Sequence, residues 1–226
     1  MANVIILAGA SGTGKTRSIK NLDPKETYII NILNKPLSFK GSNTKYTVES
    51  KNIKSINSFG DVLTVMKSIN EKALHVKNLI LDDVGFLMTT EFFDRVKETG
   101  YSKFGEIGHH MQQVISYATT MRTDLNVVFM FHEEDEEDDG IKVSKKLKLI
   151  GKMLDDKYNP LATVSIVLFT NVSTDKENKT TYNFITNRTF KGKQLIPAKS
   201  PEEMFEELTI PNDLEYVFKK VKEYYN

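Results

Sequence analysis

Gly9-Ala10-Ser11-Gly12-Thr13-Gly14-Lys15-Thr16 is the stretch whose reading decides the fold. It follows Val4-Ile5-Ile6-Leu7-Ala8, an apolar run that reads as a buried strand. The spacing is G-x-x-x-x-G-K-[ST] without mismatch, the phosphate-binding P-loop. Each residue type has a physical reason. Gly9, Gly12 and Gly14 let the backbone bend tightly, and with Ala10, Ser11 and Thr13 between them successive N–H groups turn inward as an anion nest. Lys15 reaches the β- and γ-phosphates, and the Thr16 hydroxyl suits Mg²⁺. A helix is expected over Arg17 to Leu22, ended near Asp23-Pro24. Its N-terminus, with Arg17 in the first turn, would face the phosphates.

Composition bounds what surrounds this motif. The 226 residues suffice for one α/β domain with a substantial core, and 39% hydrophobic with 27% charged residues is ordinary for a globular chain. A formal net charge of +1 gives no global basic field, so nucleic-acid binding would need local patches. The absence of cysteine excludes disulfides and thiolate metal sites. No apolar run reaches the ~18 residues of a membrane span. The first strand starts near residue 3 and leaves no room for a leader, so a cytoplasmic location is expected.

Outward from the P-loop, Tyr28 to Ile32 reads as a second strand, and Asn34-Lys35-Pro36-Leu37 breaks it. Residues 38–57 read as a polar excursion with a short strand near Tyr46-Val48. Val62, Leu63, Val65, Met66 and Ile69 give Ser58 to Asn70 a helical period. Val76-Lys77-Asn78-Leu79-Ile80-Leu81-Asp82-Asp83 has the Walker B pattern, an apolar strand ending in acids beside the P-loop. Asp82 is the residue expected to hold Mg²⁺, and Asp83 to orient an attacking water. A long helix is expected over Lys103 to Met121. The adjacent His109-His110 pair within it cannot point both rings at one metal.

Val127-Val128-Phe129-Met130-Phe131 reads as a buried strand ending in His132-Glu133, at the strand end where a ligand crevice forms. Residues 133–140 are almost wholly acidic and read as a mobile solvated loop, with Lys142, Lys145, Lys146 and Lys148 behind them. A short helix is expected over Met153 to Tyr158. Thr163 to Thr170 and Thr181 to Asn187 alternate as an antiparallel hairpin, and Asn187-Arg188-Thr189 leaves the sheet. Ser200-Pro201-Glu202-Glu203 has the form of a capping box, and a last amphipathic helix is expected from about Asn212 to Tyr224. With no repeat or linker, residues 1–226 read as one domain.

The order of these pieces resembles a RecA-type P-loop ATPase core, an α/β fold with a mainly parallel sheet flanked by helices and a C-terminal antiparallel hairpin. More narrowly it is similar to the small phage-encoded ATPases related to RecA, the Sak-type single-strand annealing and recombination proteins. The carriers are Gly9 to Thr16, Leu79 to Asp83, Phe129-Met130-Phe131-His132-Glu133 and Ile150-Gly151-Lys152. The resemblance implies ATP binding, Mg²⁺-dependent hydrolysis, self-association and contact with single-stranded DNA. It also implies that His132 senses the γ-phosphate and that Lys152 reaches a neighbouring subunit's nucleotide, as would Arg188. RecA-like enzymes place a catalytic glutamate after the second strand. Here that region, Asn31-Ile32-Leu33-Asn34-Lys35-Pro36, has no acid, so the role falls to Asp83 or Glu133, or turnover is slow.

Basic and aromatic residues expected to meet single-stranded DNA are Phe92, Phe93, Arg95, Lys97, Tyr101 and Lys103. Two other functions use the same loop. A nucleotide kinase needs several arginines in a phosphate-clamping lid, and this chain has Arg17, Arg95, Arg122 and Arg188. A nucleotide-dependent assembly or switch protein needs binding with little turnover.

Overall fold

Alternation along the buried strands sorts their side chains into two cores. In β1 (Asn3–Ala8), Val4, Ile6 and Ala8 enter one core, and Ile5 and Leu7 the other. The computed structural model describes residues 1–150 and 158–225. Within them β2 (Thr27–Asn31), β3 (Ile53–Ser55), β4 (Asn78–Asp82) and β5 (Asn126–Phe131) run parallel to β1. The short α1 (Ser42–Lys45) precedes β3, and α2 (Phe59–Glu71), α3 (Phe86–Asp94) and α4 (Ser102–Thr120) lie along the chain between β3 and β5. Phe59, Val62 and Met66 of α2, Leu87 of α3, and Ile107, Met111 and Val114 of α4 fill the first core.

After β5 the chain makes β6 (Glu133–Asp138) and β7 (Ile141–Leu147), then β8 (Ile166–Thr174) and β9 (Thr180–Ile185). Short strands β10 (Thr189–Lys191), β11 (Gln194–Ile196) and β12 (Thr209–Pro211) lead to α5 (Leu214–Tyr225). The main sheet has the order β12-β9-β8-β1-β5-β4-β2-β3, parallel except where β9 pairs with β8 and β12. The second core lies on its other face, where Leu214, Val217 and Val221 of α5 meet Ile19, Ile29 and Met130. This is the expected α/β architecture with its late antiparallel hairpin. A smaller sheet, β10-β11-β7-β6, docks through Leu147 and Ile196.

Four local expectations are corrected. The helix after the P-loop is a single 3-10 turn, Thr16–Ile19. Ser18 Oγ donates to Lys15 O at 2.5 Å and Ser18 N–H is shared between Gly14 O and Lys15 O, which tightens the turn. The acidic run is a strand: β6 pairs with β7 in a register that sets Glu134 opposite Lys146, Asp135 opposite Lys145 and Glu137 opposite Lys142. Cross-strand cations offset the repulsion that a loop would otherwise have relieved. The 38–57 excursion forms its strand at Ile53–Ser55, while Tyr46 is buried behind α1. Residues 200–203 start no helix: the Ser200 hydroxyl donates to Asn187 Oδ1 at 3.1 Å instead of capping, and Glu203 has φ +63°. The short helix expected over 153–158 lies, but for its last residue, outside the described residues, as does the Gly151-Lys152 pair.

Candidate nucleotide site

Parallel strands bring their carboxyl ends to one side of the sheet, and that is where the chemistry collects. β1 delivers the P-loop, β4 delivers Asp82 and Asp83, β5 delivers His132, β8 delivers Thr170, and the turn after β2 delivers Lys35. A cavity of about 310 Å³ opens here, lined by Ser11, Gly12, Gly14, Lys15, Thr16 and Arg17 on one side. Lys35, Asp83, His132 and Tyr182 line the rest with Pro36 and Ser38.

The loop's glycines are fixed by neighbours as well as by backbone angle. A Cβ on Gly9 would stand 1.8 Å from Thr170 Oγ1, and Thr170 in turn bonds Thr13 Oγ1 at 2.6 Å. Gly14 has φ +99°, which side chains rarely adopt, and Tyr182 packs onto it. Lys15 is buried and folds back to donate to Gly9 O (2.8 Å) and Ala10 O (3.0 Å). Burial lowers its proton affinity, against the pull of Asp83 and Asp82. These carbonyl bonds hold the ammonium at the mouth of the nest, ready to exchange for phosphate oxygens.

The Thr16 hydroxyl bonds both oxygens of Asp82, at 2.9 and 3.2 Å. Asp82 is 1% exposed, and burial followed by the charge of Asp83 pushes its carboxyl up to about 6. Hard oxygen donors and a buried carboxylate short of positive charge fit Mg²⁺. Among the described residues no group of three His, Asp or Glu side chains could hold a metal by itself, so phosphate and water oxygens would complete the shell.

Asp83 carries φ +61°, a left-handed conformation that turns its carboxylate off the strand axis. The Lys35 ammonium bonds Asp83 Oδ2, and His132 Nε2 lies 3.0 Å from Oδ1. That second contact is not aligned as a hydrogen bond, so Oδ1 is buried without a directed donor. Burial pushes the Asp83 carboxyl up, but His132 and Lys35 outweigh it and hold it down at about 2. The His132 ring is steadied edge-on against Phe86 at 5.6 Å.

Other expected residues stand elsewhere. The Glu133 carboxylate faces Lys145 at 3.2 Å and does not line the cavity. Lys152 lies outside the described residues. Arg188 is exposed. Arg17 lines the cavity with its guanidinium 4.7 Å above the Tyr182 ring. Away from the cavity, Arg95 is clamped by Glu91 (2.9 Å), Glu98 (2.7 Å) and Glu106 (2.7 Å), and buried Lys103 donates to Glu98 O at 2.9 Å. Both cations are thereby committed within the chain, and the exposed members of that group are Phe93, Lys97 and Tyr101.

Lys35, Thr170 and Tyr182 were not legible in the sequence as site residues. Only Lys35 carried a signal, by standing where RecA-like enzymes have their acid. Among comparisons with known proteins, a family model described as an AAA domain matches residues 1–200. No curated protein matches the chain.

Proposed function

The chain belongs to the AAA-domain family, matched over residues 1–200, and from that premise we propose that it is a Mg²⁺-dependent ATPase acting on single-stranded DNA. The AAA domain is a nucleotide-binding ATPase module. The observation that carries hydrolysis, beyond binding, is Asp83: a buried, ionised carboxylate in the same cavity as Lys15 and Thr16. Lys15 binds the β- and γ-phosphates. Thr16 and Asp82 hold Mg²⁺, which when bound offsets the charge developing on the phosphate. Asp83 orients the attacking water through its carboxylate, and His132 senses the γ-phosphate. Lys35 is a positioning residue that fixes Asp83.

The DNA reading is supported by the likeness to RecA-type annealing proteins and by the exposed Phe93, Tyr101 and Lys97 beside α3 and α4. The same likeness supports assembly of several copies, with exposed Arg188 offered to a neighbour's nucleotide, and a role in phage recombination or replication. Asp83 held between Lys35 and His132 also favours a second reading, a switch protein that binds ATP and turns it over slowly.

The deciding measurement is ATP hydrolysis with Mg²⁺, with and without single-stranded DNA, against Lys15→Ala. Stimulation by DNA is the expected result. Hydrolysis indifferent to DNA overturns the DNA reading, and tight binding without hydrolysis favours the switch. Asp83→Ala is expected to keep ATP affinity and lose about 10²-fold or more in kcat. Lys35→Ala is expected to change kcat with little change in KM; undiminished turnover in Asp83→Ala would remove the water-orienting role.

A further inference from the structure

Lys35 has a tightly held backbone and a side chain that faces the cavity. It follows Asn31, the last residue of β2, which pairs with Asp82 of β4. Asn31 is buried and holds the turn with two bonds. Its amide nitrogen donates to Lys35 O at 2.7 Å, and its amide oxygen accepts from Lys35 N–H at 3.4 Å. Asn34, just before, is left-handed at φ +50°, and the ring of Pro36, just after, fixes its own φ. The Lys35 ammonium bonds Asp83, yet the Lys35 side chain is 44% exposed against 2% for Asp83. A pinned backbone with a half-exposed ammonium at the end of a flexible stem presents a cation to the cavity.

The charged lining of the cavity is unbalanced. Lys15, Arg17 and Lys35 face one carboxylate, Asp83, with His132 beside it. Lys15 and Arg17 arrive with the P-loop, whereas Lys35 comes from a separate segment. Burial lowers the proton affinity of Lys15 most, and the nearby charge of Lys35 lowers it further. Two ammonium groups converging on one cavity repel each other, and an anion between them relieves that repulsion. An ammonium carries three N–H donors. Asp83 Oδ2 takes one from Lys35, and the others are left for a phosphate oxygen in the same cavity.

Resting on the reading of this cavity as an ATP-hydrolysing site, we propose that Lys35 is its second phosphate cation: the ammonium bridges Asp83 to a γ-phosphate oxygen, and that contact strengthens in the transition state. In hydrolysis the water oxygen bonds to the γ-phosphorus while the bond to the bridging oxygen breaks. The electron pair leaves on ADP, and a water proton passes to a phosphate oxygen. The charge that develops meets a cation from outside the P-loop as well as Lys15. Because Lys35 stays on Asp83 throughout, the buried carboxylate keeps its partner. The cation and the water-orienting group thus act as one unit, with Lys35 touching the reacting phosphate in addition to fixing Asp83.

The test is equilibrium binding, by calorimetry with Mg²⁺, of ADP and of ADP with aluminium fluoride, a mimic of the transferring phosphoryl group. The proteins are the full chain, Lys35→Met, Lys35→Arg, Asp83→Asn and Lys35→Met combined with Asp83→Asn. Lys35→Met keeps the stem and the backbone bonds to Asn31 and removes the charge. The full chain is expected to bind the mimic more tightly than ADP alone. Lys35→Met is expected to keep ADP affinity and to lose about 10²-fold for the mimic, with Lys35→Arg restoring part of the loss. A further loss of similar size is expected when Lys35→Met is added to Asp83→Asn, because the phosphate contact does not run through the carboxylate. No further loss in that background would show that Lys35 acts only by fixing Asp83 and would overturn the inference. Equal weakening of both ligands would overturn it too, as would a full chain that binds ADP and gains nothing from the fluoride; either leaves the nucleotide site standing. Failure of the full chain to bind ADP at all would overturn the nucleotide reading itself.

Discussion

Asp82 and Asp83 are neighbours in sequence with opposite proton affinities, and burial alone does not separate them. Each is 1% exposed. Asp82 has one hydroxyl and no adjacent cation in bonding contact, so desolvation raises it to about 6; Asp83 has Lys35 and His132 and stays at about 2. The sign of the pH effect follows. A carboxyl whose folded pKa is raised binds its proton more tightly folded, so Asp82 subtracts stability as pH climbs from about 4 through about 6. The cost at pH 7 is about 3 kcal/mol for the nucleotide-free chain. Asp82→Asn is therefore expected to match the parent at pH 4 and exceed it at pH 7, read by urea unfolding at the two pH values. The same protonation makes Mg²⁺–nucleotide binding weaken below about pH 6, a loss that Asp82→Asn would show at every pH. Asp83 acts in the opposite sense and lower down: its contribution is complete above about 4 and is lost as pH falls through about 2. The sequence named both acids as a pair with different tasks. It could not assign their proton affinities, because Lys35 lies 48 positions from Asp83.

Among elements, the β6–β7 hairpin is the instructive case. Read as composition, Glu133 to Asp139 is a run of repelling charge; paired with the lysines behind it, the same run is half of a charge-matched ladder. Lys145 bonds Asp135 at 2.7 Å and Glu133 at 3.2 Å, and Lys142 bonds Asp135 at 2.6 Å. The turn that permits this is Asp139-Gly140, with φ +47° and +75°, both left-handed as a tight hairpin of this twist requires. Asp-Gly between two strands was the local signal, and the charge pattern masked it. Gly140→Val is expected to destabilise the chain by about 1–2 kcal/mol and to open residues 133–147 to limited proteolysis. An unchanged melting curve and cleavage pattern would show that the turn does not hold the ladder. The turn after the P-loop makes the complementary point: helical residue types followed the motif, but with Ser18 N–H shared between Gly14 O and Lys15 O only one 3-10 turn forms.

For the molecule as a whole, the two ends of the parallel sheet divide function from stability. At the carboxyl ends stand the unpaired and strained groups: Asp83 at φ +61° and Asn212 without partners. At the amino ends the side chains satisfy one another. Asn3 donates to Asn126 Oδ1 at 3.1 Å, Asn126 to Asn78 Oδ1 at 2.9 Å, and Asn78 to Thr27 Oγ1 at 3.3 Å, a chain of amides across four neighbouring strands. Asn126→Ala breaks it at its middle and is expected to cost about 1–3 kcal/mol in urea unfolding while leaving ATP affinity unchanged. What the sequence determined by itself was local and covalently close: the P-loop, whose eight residues are contiguous, the strand that precedes it, the apolar runs of β4 and β5, and the acids at the end of β4. Each is set by spacing along one short segment, where the backbone period alone decides which way side chains point. What only the tertiary structure decided was pairing between distant segments. Lys35 on Asp83, Thr170 against Gly9, and Asn212 with Tyr182 over Gly14 are brought together by strand order and register. None of the three leaves a mark on a local sequence pattern, because each is fixed by the packing of the whole sheet.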